Sequence, residues 1–204
     1  NVREWRSRDY QAPLLKRASL VDAGRKRDWS KLPEMLSDIT SKDRDEVFAT
    51  SLIRMVPGSG DLRIVPVLIE AVKDPSPLVR AAAAEALQGV PAKEAVQALV
   101  EAAGDDYRLV RVRAAASLAG LKDLPLKDAD KKAVESADAE YRTSLMSRPD
   151  QWDAFYNLGN YYANRAEFKQ AIVSYDTALK LEPRAMLAMV NESIAYAQLG
   201  ESQK

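Results

Sequence analysis

Apolar residues recur at helical spacing in short blocks along most of this chain, with Pro, Gly and Asp between the blocks. From Pro13 to Leu124 this pattern predicts amphipathic helices arranged in pairs. One pair spans residues 13–26 and 31–40, with Leu14, Leu15, Ala18, Val21, Leu32, Leu36 and Ile39 as candidate core positions. A second spans 43–56 and 61–73, with Val65, Leu68, Ile69 and Val72 on one face and Asp61 as its cap. Pro57-Gly58-Ser59-Gly60 reads as the loop between these helices. It is no phosphate cradle, because no Gly-Lys-Ser/Thr follows. Further helices are predicted at 128–147 and 186–199. The fold class is therefore all-α, an α-solenoid of antiparallel helix pairs.

The chain also resembles itself, at two different periods. Leu78-Val79-Arg80, an alanine run, Leu87, Gly89 and Val90 align 31 residues on with Leu109-Val110-Arg111, alanines, Leu118, Gly120 and Leu121. Asp74-Pro75 and Asp105-Asp106 precede these helices as start signals. Alanine at this density lets helix pairs stack closely, and the pattern is similar to HEAT repeats of the short type found in bilin-lyase-like proteins. Farther on, Phe155, Leu158, Gly159, Tyr162, Phe168, Ala171, Tyr175, Ala178 and Pro183 resemble one complete tetratricopeptide repeat. A step back of 34 residues takes Ala171, Tyr175 and Pro183 to Ala137, Tyr141 and Pro149. A step forward takes Phe155 to Met189, Tyr162 to Tyr196 and Ala166 to Gly200, while Leu158 and Gly159 become Glu192 and Ser193.

The expected organisation is an N-terminal linker or packing segment (1–12), HEAT-like helical repeats (13–126) and a tetratricopeptide region (127–204). The last divides into a half repeat (127–149), a full repeat (152–185) and a truncated one (186–204). The sequence begins at Asn1 without an initiator methionine and ends where another helix is due, so a piece of a longer protein is expected. The apolar face of helix 186–199 is then expected to lie exposed.

Composition narrows the chemistry. Thirty basic residues balance thirty acidic ones, which weighs against nucleic acid or an anionic membrane as partner. No apolar run reaches the roughly 20 residues of a membrane span, and no signal peptide is visible. The sequence contains neither cysteine nor histidine, excluding thiolate and imidazole metal sites, covalent haem attachment, cysteine nucleophiles and His-based triads within it. Asp43, Asp45 and Glu46, and likewise Asp128 and Asp130, read as helix-start carboxylates rather than catalytic acids. No catalytic residue, metal ligand or cofactor is expected in this chain.

The candidate site is the inner groove that first helices line in tetratricopeptide proteins. The resemblance places Asp153, Tyr156, Asn160, Ala163 and Asn164 there, followed by Leu187, Val190, Asn191, Ile194, Ala197 and Gln198. A related family that clamps C-terminal carboxylates has asparagine at the place of Asn160 but lysine at the place of Tyr156. A mixed polar and apolar segment suits this groove better. Arg108, Arg111 and Arg113 form a possible anionic-ligand patch, although Arg80 and Arg111 are better read as partners of Asp74 and Asp106. Segment 1–31 carries nine basic residues against four acidic, with Trp5, Tyr10 and Trp29 among them. It reads as a solvated face, with Trp29 capping the first helix pair and Trp5 packing on an upstream domain. Asn191-Glu192-Ser193 matches a glycosylation acceptor by chance inside a packed helix.

HEAT-like pairs, a long helix ending in Glu140-Tyr141-Arg142-Thr143-Ser144-Leu145, and tetratricopeptide repeats occur in an order that resembles the C-terminal solenoid of bacterial multihaem c-type cytochromes. Asp28-Trp29-Ser30-Lys31-Leu32-Pro33, the Val79-Arg80 phase and the Pro183 to Asn191 junction carry that likeness. The resemblance implies a periplasmic or extracellular setting, with haem held only by an upstream domain. The expected function is a non-enzymatic scaffold binding a protein or peptide in the groove, or an upstream domain of the same protein. A nucleic-acid-binding HEAT-like protein and a bilin-lyase-like enzyme are the alternatives.

Overall fold

The fold is that of a computed structural model describing residues 8–121 and 126–200, with side chains from Gln11 onward. The expectations for Arg3, Trp5, Arg6 and the side chains of Arg8 and Tyr10 lie outside the described residues. Eleven α-helices follow one another, and no strand occurs among the described residues. The chain forms two compact units, Asn1–Ala102 and Ala103–Lys204.

The first unit contains α1 (Arg8–Arg25), α2 (Leu32–Thr40), α3 (Glu46–Met55), α4 (Ile64–Ala71), α5 (Pro77–Ala86) and α6 (Lys93–Ala102). Odd-numbered helices pack on odd and even on even, α1 to α3 to α5 and α2 to α4 to α6, which is the two-layer arrangement of a solenoid. Between the layers Leu20, Leu32, Met35, Leu52, Ile53, Leu68, Val79, Leu87 and Leu99 are buried. The run Ala81–Ala84 is buried throughout, so this stretch of α5 touches neighbours on every side with methyl groups alone. Asp45 caps α3 by accepting the Phe48 N–H at 2.9 Å, as its place at a helix start predicts.

Helix α1 departs from the expected pattern. It begins at Arg8 and runs through Pro13. Its buried residues are Gln11, Leu20 and Ala23, whereas Leu14, Leu15 and Ala18 are exposed and Val21 is half-buried. The helix packs mainly on α3, so one narrow stripe suffices and the remaining apolar residues face water. Trp29 lies on a 3-10 turn (Trp29–Lys31) with its ring against Gly58, closing the first pair onto the turn Val56–Ser59.

Successive repeats reuse one backbone device. Arg80 Nη1 donates to the carbonyls of Asp74 (2.8 Å) and Pro75 (3.1 Å). In the second unit Arg111 Nη1 donates to the carbonyls of Asp105 (2.8 Å) and Asp106 (3.0 Å). Asp74 and Asp105 meanwhile accept the N–H of Ser76 and Tyr107, turning the chain into α5 and α7. The expected pairing of Arg111 with the Asp106 carboxylate is thus corrected. The turn aims main-chain oxygens at the guanidinium, and the carboxylate partner of Arg111 is Glu140. The Asp74 carboxylate pairs with Arg44.

The second unit contains α7 (Arg108–Leu118), α8 (Asp128–Leu145), α9 (Trp152–Asn164), α10 (Phe168–Leu181) and α11 (Met186–Gln198), each packed on the next. Its core from α9 onward is alanine (Ala154, Ala171, Ala178, Ala188, Ala195) with Tyr161 and Tyr175. Gly159 allows the closest approach: a Cβ there would lie 2.3 Å from the Tyr175 ring. After α9 the chain turns at Ala166 with φ 55°, and 34 residues later Gly200 has φ 75°. Arg165 and Ala166 donate to the carbonyls of Tyr162 and Ala163, and Leu199 and Gly200 repeat those bonds to Tyr196 and Ala197. The period therefore holds at the turn even where Glu192 and Ser193 depart from the pattern. Met186, Leu187, Met189, Val190 and Ile194 of α11 are exposed, as anticipated.

Two substitutions should act in opposite directions. Gly159→Ala adds about 1 kcal/mol of helix propensity but forces the overlap with Tyr175, which costs about 1–3 kcal/mol, so net destabilisation is expected in a denaturant melt. Ala166→Gly relieves a left-handed residue and should stabilise by about 0.5–1 kcal/mol in the same melt.

Candidate functional site

The groove is built where α9 and α11 stand side by side over α10. Tyr175 of α10 is fully buried, and burial pushes its phenol up to about 12, so the hydroxyl remains a proton donor across the physiological range. It donates to Asn160 Oδ1 at 2.8 Å. Asn191 Nδ2 of α11 donates to the same oxygen at 2.8 Å and lies 3.4 Å from the Tyr156 hydroxyl. Trp152, Tyr156 and Tyr175 continue the wall as tilted rings with centroids 5.9 and 6.2 Å apart. The two amides are thus locked by one shared acceptor.

A cleft of about 390 Å³ opens beside this network, lined by Asn160, Asn164, Asn191, Phe168, Tyr175 and Ile194 together with Ala163 and Ala195. No lining residue is charged. Of the residues predicted from sequence, Asn160, Ala163, Asn164, Asn191 and Ile194 line the cleft and Tyr156 reaches it through Asn191. Asp153, Leu187 and Gln198 are solvent-exposed and stand outside its lining. Phe168 and Tyr175 were not anticipated as lining, because they read as core of the helix pair. A second cleft, of about 400 Å³ and more apolar, lies on α9 and α10 between Phe155, Leu158, Tyr162 and Val173.

Other sequence candidates fall elsewhere. Arg111 binds Glu140 through Nε (3.1 Å) and Nη2 (2.8 Å), and Arg108 Nε stands 4.0 Å from the same carboxylate. Glu140 raises the Arg111 pKa through these hydrogen bonds. Arg113 is half-buried, and its charge partly opposes the upward shift that burial imposes on Tyr141. Any anion at Arg108 and Arg111 would compete with Glu140. Asn191, the formal glycosylation acceptor, is half-buried in α11 with its amide engaged.

Sequence reading missed the junction of α8 and α9. Asp138 accepts the Tyr161 hydroxyl at 2.8 Å on both oxygens, with Arg142 Nε at 3.4 Å and Arg165 Nη1 at 3.6 Å. Burial and then this hydrogen bond move the Tyr161 phenol strongly upward, and Arg165 lies over its ring at 5.4 Å. The recurrence of Tyr141 after 34 residues marked the helix but not the carboxylate. No group of three or more metal-binding carboxylates occurs among the described residues, and none of their helices is long and apolar enough to cross a membrane.

Repeated helix pairs in two layers, a shared arginine-to-carbonyl clamp and a lined groove define a helical-repeat protein. Residues 33–119 match the sequence model of HEAT repeats, and residues 152–184 match that of the tetratricopeptide repeat. The chain carries HEAT repeats followed by a tetratricopeptide repeat. A comparison with curated proteins found no match.

Glu192 gives a pH test of the helix pair beneath the groove. It stands where the repeat pattern has leucine, and burial, then the Asp176 carboxylate, raise its pKa above 4.5. Its proton is held more tightly in the folded state, so its contribution is fully favourable below about 4.5 and is lost as pH rises through the raised folded value. Glu192→Gln should therefore melt higher than the natural protein at pH 7, with the gap narrowing toward pH 4.5. A gap independent of pH would contradict this assignment.

Proposed function

We propose that this protein is a non-enzymatic scaffold that holds a protein partner in the groove of α9 and α11. The observation that carries the reading is the groove itself, a neutral cleft with two amides fixed by Tyr175 and an apolar side at Phe168 and Ile194. Repeats of both matched families typically serve as non-catalytic scaffolds. In a finer form of the proposal the scaffold belongs to a larger electron-transfer protein of the multihaem cytochrome kind. The order of HEAT repeats, long helix and tetratricopeptide repeat supports that form. Haem would have to be attached by residues outside this sequence, which contains no cysteine or histidine.

The test is affinity purification from the source cells with three forms of the protein. The intact form should retain a partner in near-stoichiometric amount. Val190→Glu/Ile194→Glu, which charges the exposed groove side of α11, should lose it without a change in melting temperature. Leu62→Glu, at an exposed turn of the first unit, should retain it. Equal retention by the intact and α11 forms, or none by either, would refute the proposal.

A further inference from the structure

We propose that Tyr161 is a redox-active tyrosine, which gives an electron through Tyr162 to a one-electron oxidant at the protein surface and its proton to Asp138. The site is separate from the groove of α9 and α11. Tyr161 of α9 is buried, and its hydroxyl donates to Asp138 of α8 at 2.8 Å from both carboxylate oxygens. That is within reach of direct proton transfer, with no water needed between donor and acceptor. Edge-on rings flank Tyr161, Tyr141 at 5.7 Å and Tyr162 at 5.2 Å between centroids. Tyr162 in turn lines the outer apolar cleft of α9 and α10, where an oxidant can approach its ring.

The surroundings of Tyr161 govern how it can react. Burial, then the hydrogen bond to Asp138, hold the phenol protonated, so no phenolate is present to lose an electron alone. An electron leaving by itself would strand a phenol radical cation away from water, with the Arg165 guanidinium 5.4 Å above its ring. Electron and proton therefore leave together. The O–H bond breaks, the proton passes to a carboxylate oxygen of Asp138, and the electron reduces the oxidant by one, which leaves a neutral tyrosyl radical beside a protonated carboxyl group. Return of one electron from a one-electron reductant, and of the proton from Asp138, restores the pair. Arg142 and Arg165 face that carboxylate at 3.4 and 3.6 Å. Glu167 binds Arg165 Nε at 2.8 Å, and Glu135 lines the same small cavity as Asp138 and Arg165, so carboxylates remain to offset the guanidiniums once Asp138 is protonated. Tyr175 supplies the contrast. It is as fully buried, but its hydroxyl donates to the Asn160 amide, which takes no proton.

Flash photolysis of the full protein tests this, with tris(bipyridine)ruthenium(III), generated by light from the ruthenium(II) complex and persulfate, as the oxidant. The natural protein should give a long-lived neutral tyrosyl radical by electron paramagnetic resonance, formed more slowly in deuterated water. Tyr161→Phe removes one hydroxyl and keeps the ring, and should leave only the short-lived radicals of exposed tyrosines such as Tyr107. Asp138→Asn should slow formation of the long-lived radical by about a hundredfold, the loss of a positioned proton acceptor, and Asp138→Glu should restore it. Tyr175→Phe should leave it intact. A long-lived radical in Tyr161→Phe, an unchanged rate in Asp138→Asn, or no long-lived radical in the natural protein overturns the proposal.

Discussion

The contact between Tyr175 and Gly159 is the constraint on which the second unit depends. A large ring can be fully buried between α9 and α10 only because no Cβ stands at residue 159. Burial in turn obliges the phenol to find a hydrogen-bond acceptor, since an unpaired hydroxyl away from water is costly. Asn160, the next residue on α9, supplies it. The orientation of Asn160 then dictates that of Asn191 across the groove. A packing requirement thereby propagates outward into the polar wall of the groove.

The HEAT part is held by a different logic. Its buried alanines bring helices close but contribute little area each, so the turns between helices carry more of the geometric definition. Arg80 and Arg111 bind the carbonyls five and six residues behind them, tying each turn to the helix that follows. This use of arginine satisfies main-chain oxygens that a helix-to-helix turn would otherwise leave to water. It also gives the recurring arginine a role within the fold.

Much of this is legible in the sequence. The 31-residue and 34-residue periods located the repeats, and the turn at Ala166 recurs at Gly200 with the same left-handed backbone. Asn160 and Asn191 fall beside one cleft because first-helix positions follow from the period. Failures occurred where packing depth, not period, decides. In α1 helical spacing favoured Leu14, Leu15 and Ala18, yet the helix rests on Leu20 and Ala23 because its one main neighbour is α3. Asp138 under Tyr161 was invisible for a related reason, since a single carboxylate has no periodicity to reveal it.

By itself the sequence determined which segments are helices, how they repeat and which chemistries the chain lacks, because those depend on local spacing and residue type. Tertiary structure decided which amide atoms pair in the groove, which carboxylate each arginine meets, and which apolar stripe is buried. These are choices among partners far apart in the chain. Only the folded arrangement brings Tyr175, Asn160 and Asn191 within hydrogen-bonding distance.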